Sequence, residues 1–171
     1  GKDIYTGAQV NGVRHGFGTF VWADGHKYEG SWVNGTLNGR GVYLSADGGR
    51  YEGSWVDGEQ HGHGACVTSD GGKYEGGWAR DTQHGHGVYV GAGGDKYEGG
   101  FRYDRMSGRG VYTWAGGARY EGDWVDGKQH GHGVYTWPSG TYYSGNWADG
   151  KRHGRGVWDA TTTAAPCGCM E

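Results

Sequence analysis

Leucine and isoleucine are scarce in this sequence: its 171 residues include only two Leu and one Ile. So few cannot line the buried stripes of a set of core helices, which excludes helical bundles and doubly wound folds. Proline numbers two and glycine follows no sustained Gly-x-y triplet, which excludes collagen. No apolar run approaches the roughly 20 residues of a membrane-spanning helix, and no signal-like segment opens the chain. It starts at Gly1 rather than Met, which reads as a processed or trimmed product. The three Cys make no disulfide framework: Cys66 stands alone and Cys167 and Cys169 lie near the end, a pattern that favours a reducing compartment. An excess of one charge is missing too. With 16 Lys and Arg against 19 Asp and Glu, the net charge of −3 argues against a strongly basic nucleic-acid binder.

Leu, Ile, Val and Phe together make up 19 residues, below the share of about 20% at which a chain starts to look disordered. Yet 9 Trp and 13 Tyr are present, and disordered chains lack aromatics and carry high net charge. Glycine supplies the rest of the signal, with 41 residues. The composition therefore describes a β structure of glycine and aromatics, built by repetition.

The repetition is regular. Tyr5, Tyr28, Tyr51, Tyr74, Tyr97, Tyr120 and Tyr143 stand 23 residues apart with no slip. With each Tyr as position 1, positions 3, 12 and 14 are Gly in all seven repeats, and position 5 is Gln9, Trp32, Trp55, Trp78, Phe101, Trp124 and Trp147. A fixed period of this kind marks units that bury their faces on one another. Each unit reads as a β-hairpin, because two alternating runs flank Asn11-Gly12, Asn34-Gly35, Asp57-Gly58, Asp126-Gly127 or Asp149-Gly150, the preferred pairs of a type I′ turn. A second turn follows at position 21, at Gly25, Gly48, Gly71, Gly94, Gly117 and Gly140.

A symmetric turn at positions 7 and 8 predicts pairing of residues whose positions sum to 15. That register sets Glu29 against Arg40, Glu52 against His63, Glu75 against His86, Glu98 against Arg109 and Glu121 against His132. It also sets Gly53 opposite Gly62 and Tyr51 opposite Gly64. Tyr, Gly and Trp at positions 1, 3 and 5 share one face, and each buried ring contributes on the order of 4 kcal/mol. The other face carries the Glu, Arg and His ladder with Lys or Arg at position 23, and should be wet. Stacking 14 strands at roughly 4.8 Å gives a single-layer twisted antiparallel sheet about 65 Å long, with open edges at which a homodimer could form. Repeats four and five place Asp81 and Asp104 where the turn Gly stands elsewhere, and repeat five also carries Phe101 and Ser107. A bend or a partner contact is expected there.

The pattern Tyr-x-Gly-x-Trp-x-x-Gly-x-x-His-Gly-x-Gly, matched position for position from Tyr51 to Gly64, resembles the MORN (membrane occupation and recognition nexus) repeat. The resemblance covers about Tyr5 to Trp158, so residues 1–158 read as the repeat domain and 159–171 as a flexible tail. It implies an all-β array of consecutive hairpins in an elongated, curved sheet with an aromatic groove. It also implies scaffolding, dimerisation and attachment to membrane or cytoskeleton, and hence an intracellular place. The expected function is a non-enzymatic scaffold holding a protein partner, such as an amphipathic helix. The groove residues expected to bind it are Tyr28, Trp32, Tyr51, Trp55, Tyr74, Trp78, Tyr97, Phe101, Tyr120, Trp124, Tyr143 and Trp147. The alternative is a peripheral module for anionic phospholipids, which matched Lys and Glu along the repeat weaken. Carbohydrate binding by exposed aromatics is a third reading.

The remaining motifs carry little chemistry. The pairs His61/His63, His84/His86 and His130/His132 invite a metal, but zinc needs three or four ligands and the next pair lies about 10 Å away. Protonation of the nine His would move the net charge from −3 to +6, so a rise in partner or lipid affinity below about pH 6.5 is one expectation. Gly62-His-Gly64 lacks the third Gly, the Lys-Ser/Thr and the helix of a phosphate loop. No nucleophile sits with a base and an orienting group, and no cofactor is expected. Cys66 at position 16, otherwise Phe, Tyr or Trp, reads as buried packing. Asn34-Gly-Thr36 fits a glycosylation sequon but coincides with a turn, and Cys167 and Cys169 are candidates for palmitoylation.

Overall fold

A computed structural model describes residues 1–159. It contains fourteen strands and, among the described residues, no helix. They are β1 (Ile4–Val10), β2 (Val13–Val21), β3 (Lys27–Val33), β4 (Thr36–Leu44), β5 (Arg50–Val56), β6 (Glu59–Val67), β7 (Lys73–Ala79), β8 (Thr82–Val90), β9 (Lys96–Arg102), β10 (Arg105–Thr113), β11 (Arg119–Val125), β12 (Lys128–Thr136), β13 (Tyr142–Ala148) and β14 (Lys151–Asp159). All pair in chain order in one antiparallel sheet, as the repeat requires. The tail from residue 160, with its two Cys, lies outside the described residues.

The expected turn is present. Asn34 and Gly35 both have positive φ, 49° and 85°, the type I′ geometry whose twist suits paired strands. In repeats four and five the same geometry is held without glycine, by Arg80 and Asp81 and by Tyr103 and Asp104. Asp tolerates this conformation, and here it adds a bond: Gln60 N donates to Asp81 Oδ1 at 2.7 Å and Gln83 N to Asp104 Oδ1 at 2.8 Å. Pairing through repeat five keeps the pattern of the other hairpins.

The register departs from the expected one beyond the turn. In β3–β4, Val33 faces Thr36 and Trp32 faces Leu37, as a sum of 15 predicts, but then Gly30 faces Gly41 and Tyr28 faces Tyr43. The second strand has gained two residues through a bulge between these stretches. Position 3 therefore faces position 14 rather than 12, and Glu29 faces Val42 rather than Arg40. Position 12 lies in the bulge with positive φ, such as 88° at Gly39 and 67° at Gly62, which explains its glycine. The Glu side chains find their cation along the strand instead: Lys27 with Glu29 at 2.9 Å, Lys96 with Glu98 at 3.0 Å, and likewise Arg50 with Glu52 and Arg119 with Glu121. Arg40 sits diagonal to Glu52 of the following repeat, so the charge pattern is complementary between repeats.

Glycines of positions 3 and 14 form a column along the sheet, because each faces its counterpart on both sides. The Tyr of position 1 lies flat over this column; a Cβ placed on Gly41 would fall inside the Tyr28 ring. The core is accordingly aromatic. Tyr28, Tyr97 and Tyr120 have no exposed surface, and Trp32, Trp55, Trp78, Phe101, Trp124 and Trp147 are buried.

Candidate functional site

The ring ladder is continuous. Tyr51 meets Trp55 of its own repeat and Trp78 of the next edge-on, each at 5.1 Å, and Tyr120 meets Trp124 at 5.1 Å and Trp147 at 5.2 Å in the same way. Edge-to-face contact is the favoured geometry for such pairs. The polar ends of these rings are satisfied inside the protein. Tyr51 Oη donates to the Ser54 carbonyl at 3.1 Å, at the site of the bulge, where the sheet ladder is interrupted. Trp32 Nε1 donates to the Gly18 carbonyl and Trp78 Nε1 to the Gly64 carbonyl, both at 3.1 Å. Burial pushes the Tyr28 phenol up to about 12, partly offset by its bond to Ser31.

All twelve residues expected to line the groove come together, but as its packed floor. Solvent reaches a second tier of rings above them: Phe20, Tyr43, Tyr89, Tyr112 and Tyr135 at position 16, and Trp22, Trp114 and Trp137 at position 18, all half-buried. Position 16 was visible as an aromatic column in the sequence. Position 18 is Trp in only three repeats, with Ser45, Thr68 and Gly91 between, so periodicity gives it no weight. In repeats five to seven the tier closes into a shelf: Tyr112 to Trp114 at 4.6 Å, Trp114 to Tyr135 at 5.3 Å, Tyr135 to Trp137 at 4.6 Å and Trp137 to Trp158 at 5.2 Å.

Beside the shelf, a cavity of about 540 Å³ is bordered by Tyr89, Phe101, Asp104, Arg105, Met106 and Tyr112. Phe101, which lines it, is smaller than the indole of other repeats and has no N–H to give the Gly87 carbonyl. The partner contact expected at repeat five thus coincides with a concavity in the aromatic face.

Carboxylates border this face. Asp47 is held below the usual carboxylate range by hydrogen bonds from the Ser45 hydroxyl and the Gly49 amide, and Asp70 by Thr68 and Gly72 in the same way. Asp95 Oδ2 accepts from Tyr112 Oη at 3.0 Å. Burial, the hydrogen bond to Asp95 and its charge push the Tyr112 phenol up to about 12. Burial likewise raises the Cys66 thiol, which packs against the core as expected.

The opposite face is less uniformly polar than expected. A shallow cavity of about 380 Å³ there is bordered by Glu29, Arg40, Glu52, His63 and Glu75 with Phe17, which is 63% exposed. Val10, Val33, Val56 and Val125 are exposed as well. The sheet's narrow width leaves position 6 without a covering layer. His61 faces Ser54 and His63 faces Gly77, across different junctions. Among the described residues no three His, Cys, Asp or Glu side chains converge on one point, and no helix is long and apolar enough to cross a membrane.

Solved structures similar to this chain include the following two. The TCP domain of SAS-4 from Drosophila melanogaster, in complex with a proline-rich motif of Ana2, is 10% identical with a TM-score of 0.48, over 77% of this chain and 73% of that one. The TCP10 domain of Danio rerio CPAP is 11% identical with a TM-score of 0.36, over 76% and 66%. A likeness of this degree says nothing about partners. No curated protein matches the chain in sequence. The MORN repeat model matches seven consecutive segments, 5–27, 28–50, 51–73, 74–96, 97–119, 120–142 and 143–160, and the chain therefore belongs to the MORN repeat family.

Proposed function

We propose that this protein is a non-catalytic scaffold that holds a protein partner along its aromatic groove, within a larger intracellular assembly. The observation that carries the reading is the solvent-reached aromatic shelf beside the Phe101 cavity, half-buried from Tyr112 to Trp137 and exposed at Trp158. Aromatic surface next to a concavity is the usual composition of an interface centre. The twelve floor residues support the shelf and shape the groove. An anionic lipid surface fits less well, because Asp47, Asp70, Asp95 and Asp104 border the groove while Lys27, Arg50, Lys96 and Arg119 of position 23 are engaged by Glu on the other face. Among the described residues the outer edges of β1 and β14 have no strand partner, and a second copy of the chain is a candidate there.

The test is a selection of displayed peptides on the intact chain, repeated on Trp114→Ala/Trp137→Ala. Peptides retained by the native protein and lost by the variant support the groove. Failure to enrich any peptide, or enrichment indifferent to both substitutions, overturns it. Co-sedimentation with anionic vesicles that weakens with salt would return the lipid reading to favour.

A further inference from the structure

Four carboxylates along the groove lack a neutralising cation. Asp47, Asp70 and Asp95 stand on successive inter-repeat turns, and Asp104 borders the cavity from the hairpin side. Among the described residues none of them forms an ion pair. The one cation at the cavity among the described residues, Arg105, is engaged by Asp126 at 3.6 Å. Position 10 is Leu37, Gln60, Gln83, Met106 and Gln129 through the middle of the array. It is Arg only at the ends, where Arg14 lies over Trp32 at 4.5 Å and Arg152 over Trp158 at 4.5 Å. The groove is therefore acidic at its border, and its complement is a basic segment.

The shelf defines that segment further. The floor indoles of Trp124 and Trp147 donate to the Gly110 and Gly133 carbonyls. Those of Trp114 and Trp137, half-buried above them, find no acceptor among the described residues. An occupant that satisfies them needs free carbonyls. An α-helix uses its own carbonyls internally, whereas a polyproline II segment leaves every one of them free. Spacing gives an independent criterion. One repeat advances two strands, about 9.6 Å, and one turn of polyproline II advances about 9.3 Å, so every third residue of such a segment meets the next repeat. Seven residues of α-helix advance about 10.5 Å, and the mismatch grows by about 0.9 Å with each repeat.

We propose that the groove receives a basic, proline-rich segment lying across the strands in the polyproline II conformation. Its prolines rest on the shelf from Tyr112 to Trp158, and its Lys or Arg side chains, three residues apart, face Asp47, Asp70 and Asp95, with Asp104 on the opposite border. The inference rests on the protein-binding reading above and names the chemistry of the partner.

The experiment measures binding of the intact chain to three synthetic peptides by calorimetry. One is a Pro-Pro-Lys repeat of about 18 residues, roughly 56 Å long. The others are the Pro-Pro-Glu repeat of the same length and an Ala- and Leu-rich helix with Lys at every seventh position. The lysine repeat should bind at least about ten-fold more tightly than either control. Its affinity should fall several-fold in Trp114→Phe/Trp137→Phe, which keeps the rings and removes both N–H donors. Asp47→Asn/Asp70→Asn should flatten the salt dependence. Equal binding of the Lys and Glu repeats overturns the proposal, as does no loss in the Phe variant. Tighter binding of the helical peptide also overturns it while leaving the protein-binding reading intact, so the two failures are distinguishable.

Discussion

The three invariant glycines are invariant for two different physical reasons, and substitution should separate them. Gly64 lies under the Tyr51 ring, where a Cβ would overlap ring atoms, whereas Gly62 has room for a Cβ but a φ of 67°. Gly64→Ala is expected to destabilise by about 3 kcal/mol or more, since the ring has no alternative site. Gly62→Ala is expected to cost about 1–2 kcal/mol, the usual penalty of the left-handed region. Denaturant titration of both variants checks the order. The phenols add a dependence on pH. Tyr28, Tyr74, Tyr97 and Tyr120 are raised to about 12, mainly by burial, so their neutral forms are favoured in the folded state. A raised folded value contributes stability that is fully present below the unfolded value of about 10 and is lost as pH rises through about 12. Phenolate absorbance should therefore appear late, together with loss of the near-ultraviolet dichroism of the packed rings.

Within single hairpins, the departures of repeats four and five test how local chemistry compensates. Asp81→Gly restores the preferred turn residue and removes the carboxylate that accepts from Gln60 N, so stability should change by less than about 1 kcal/mol. Asp81→Ala removes the bond and keeps the strained φ of 62°, and should lose about 1–2 kcal/mol. Phe101→Trp addresses the cavity. An indole there fills space and can donate to the Gly87 carbonyl, as Trp124 does to Gly110, so a gain of about 0.5–2 kcal/mol is expected. If the cavity receives part of a partner, the same substitution weakens binding while raising the melting temperature.

Over the whole molecule, each repeat packs only on its neighbours, so the array behaves as a one-dimensional stack. Deleting residues 51–73 removes one complete period and joins Arg50 to Tyr74, which reproduces a native junction. The shortened protein should retain its β-sheet circular dichroism, with a lower denaturant slope because less surface is exposed on unfolding. A collapse of structure would show coupling beyond nearest neighbours.

The sequence by itself determined the period, the hairpins, their type I′ turns and the aromatic face, because Tyr, Gly and Trp recur with the alternation of a strand. It also marked repeat five, through Phe101 and Asp104. The pairing register was decided only in three dimensions. Positions 2 and 13 share a face under either register, so their matched charges could not distinguish a pair within one hairpin from a diagonal neighbour across two repeats. The two-residue bulge that separates those cases is specified by the φ of position 12 and by the Tyr ring that fills the glycine column. Exposure of the groove was likewise a tertiary outcome. Neighbouring repeats bury the rings of positions 1 and 5 almost completely, and the surface left to solvent falls to position 16 and to the Trp of position 18, which the period does not select.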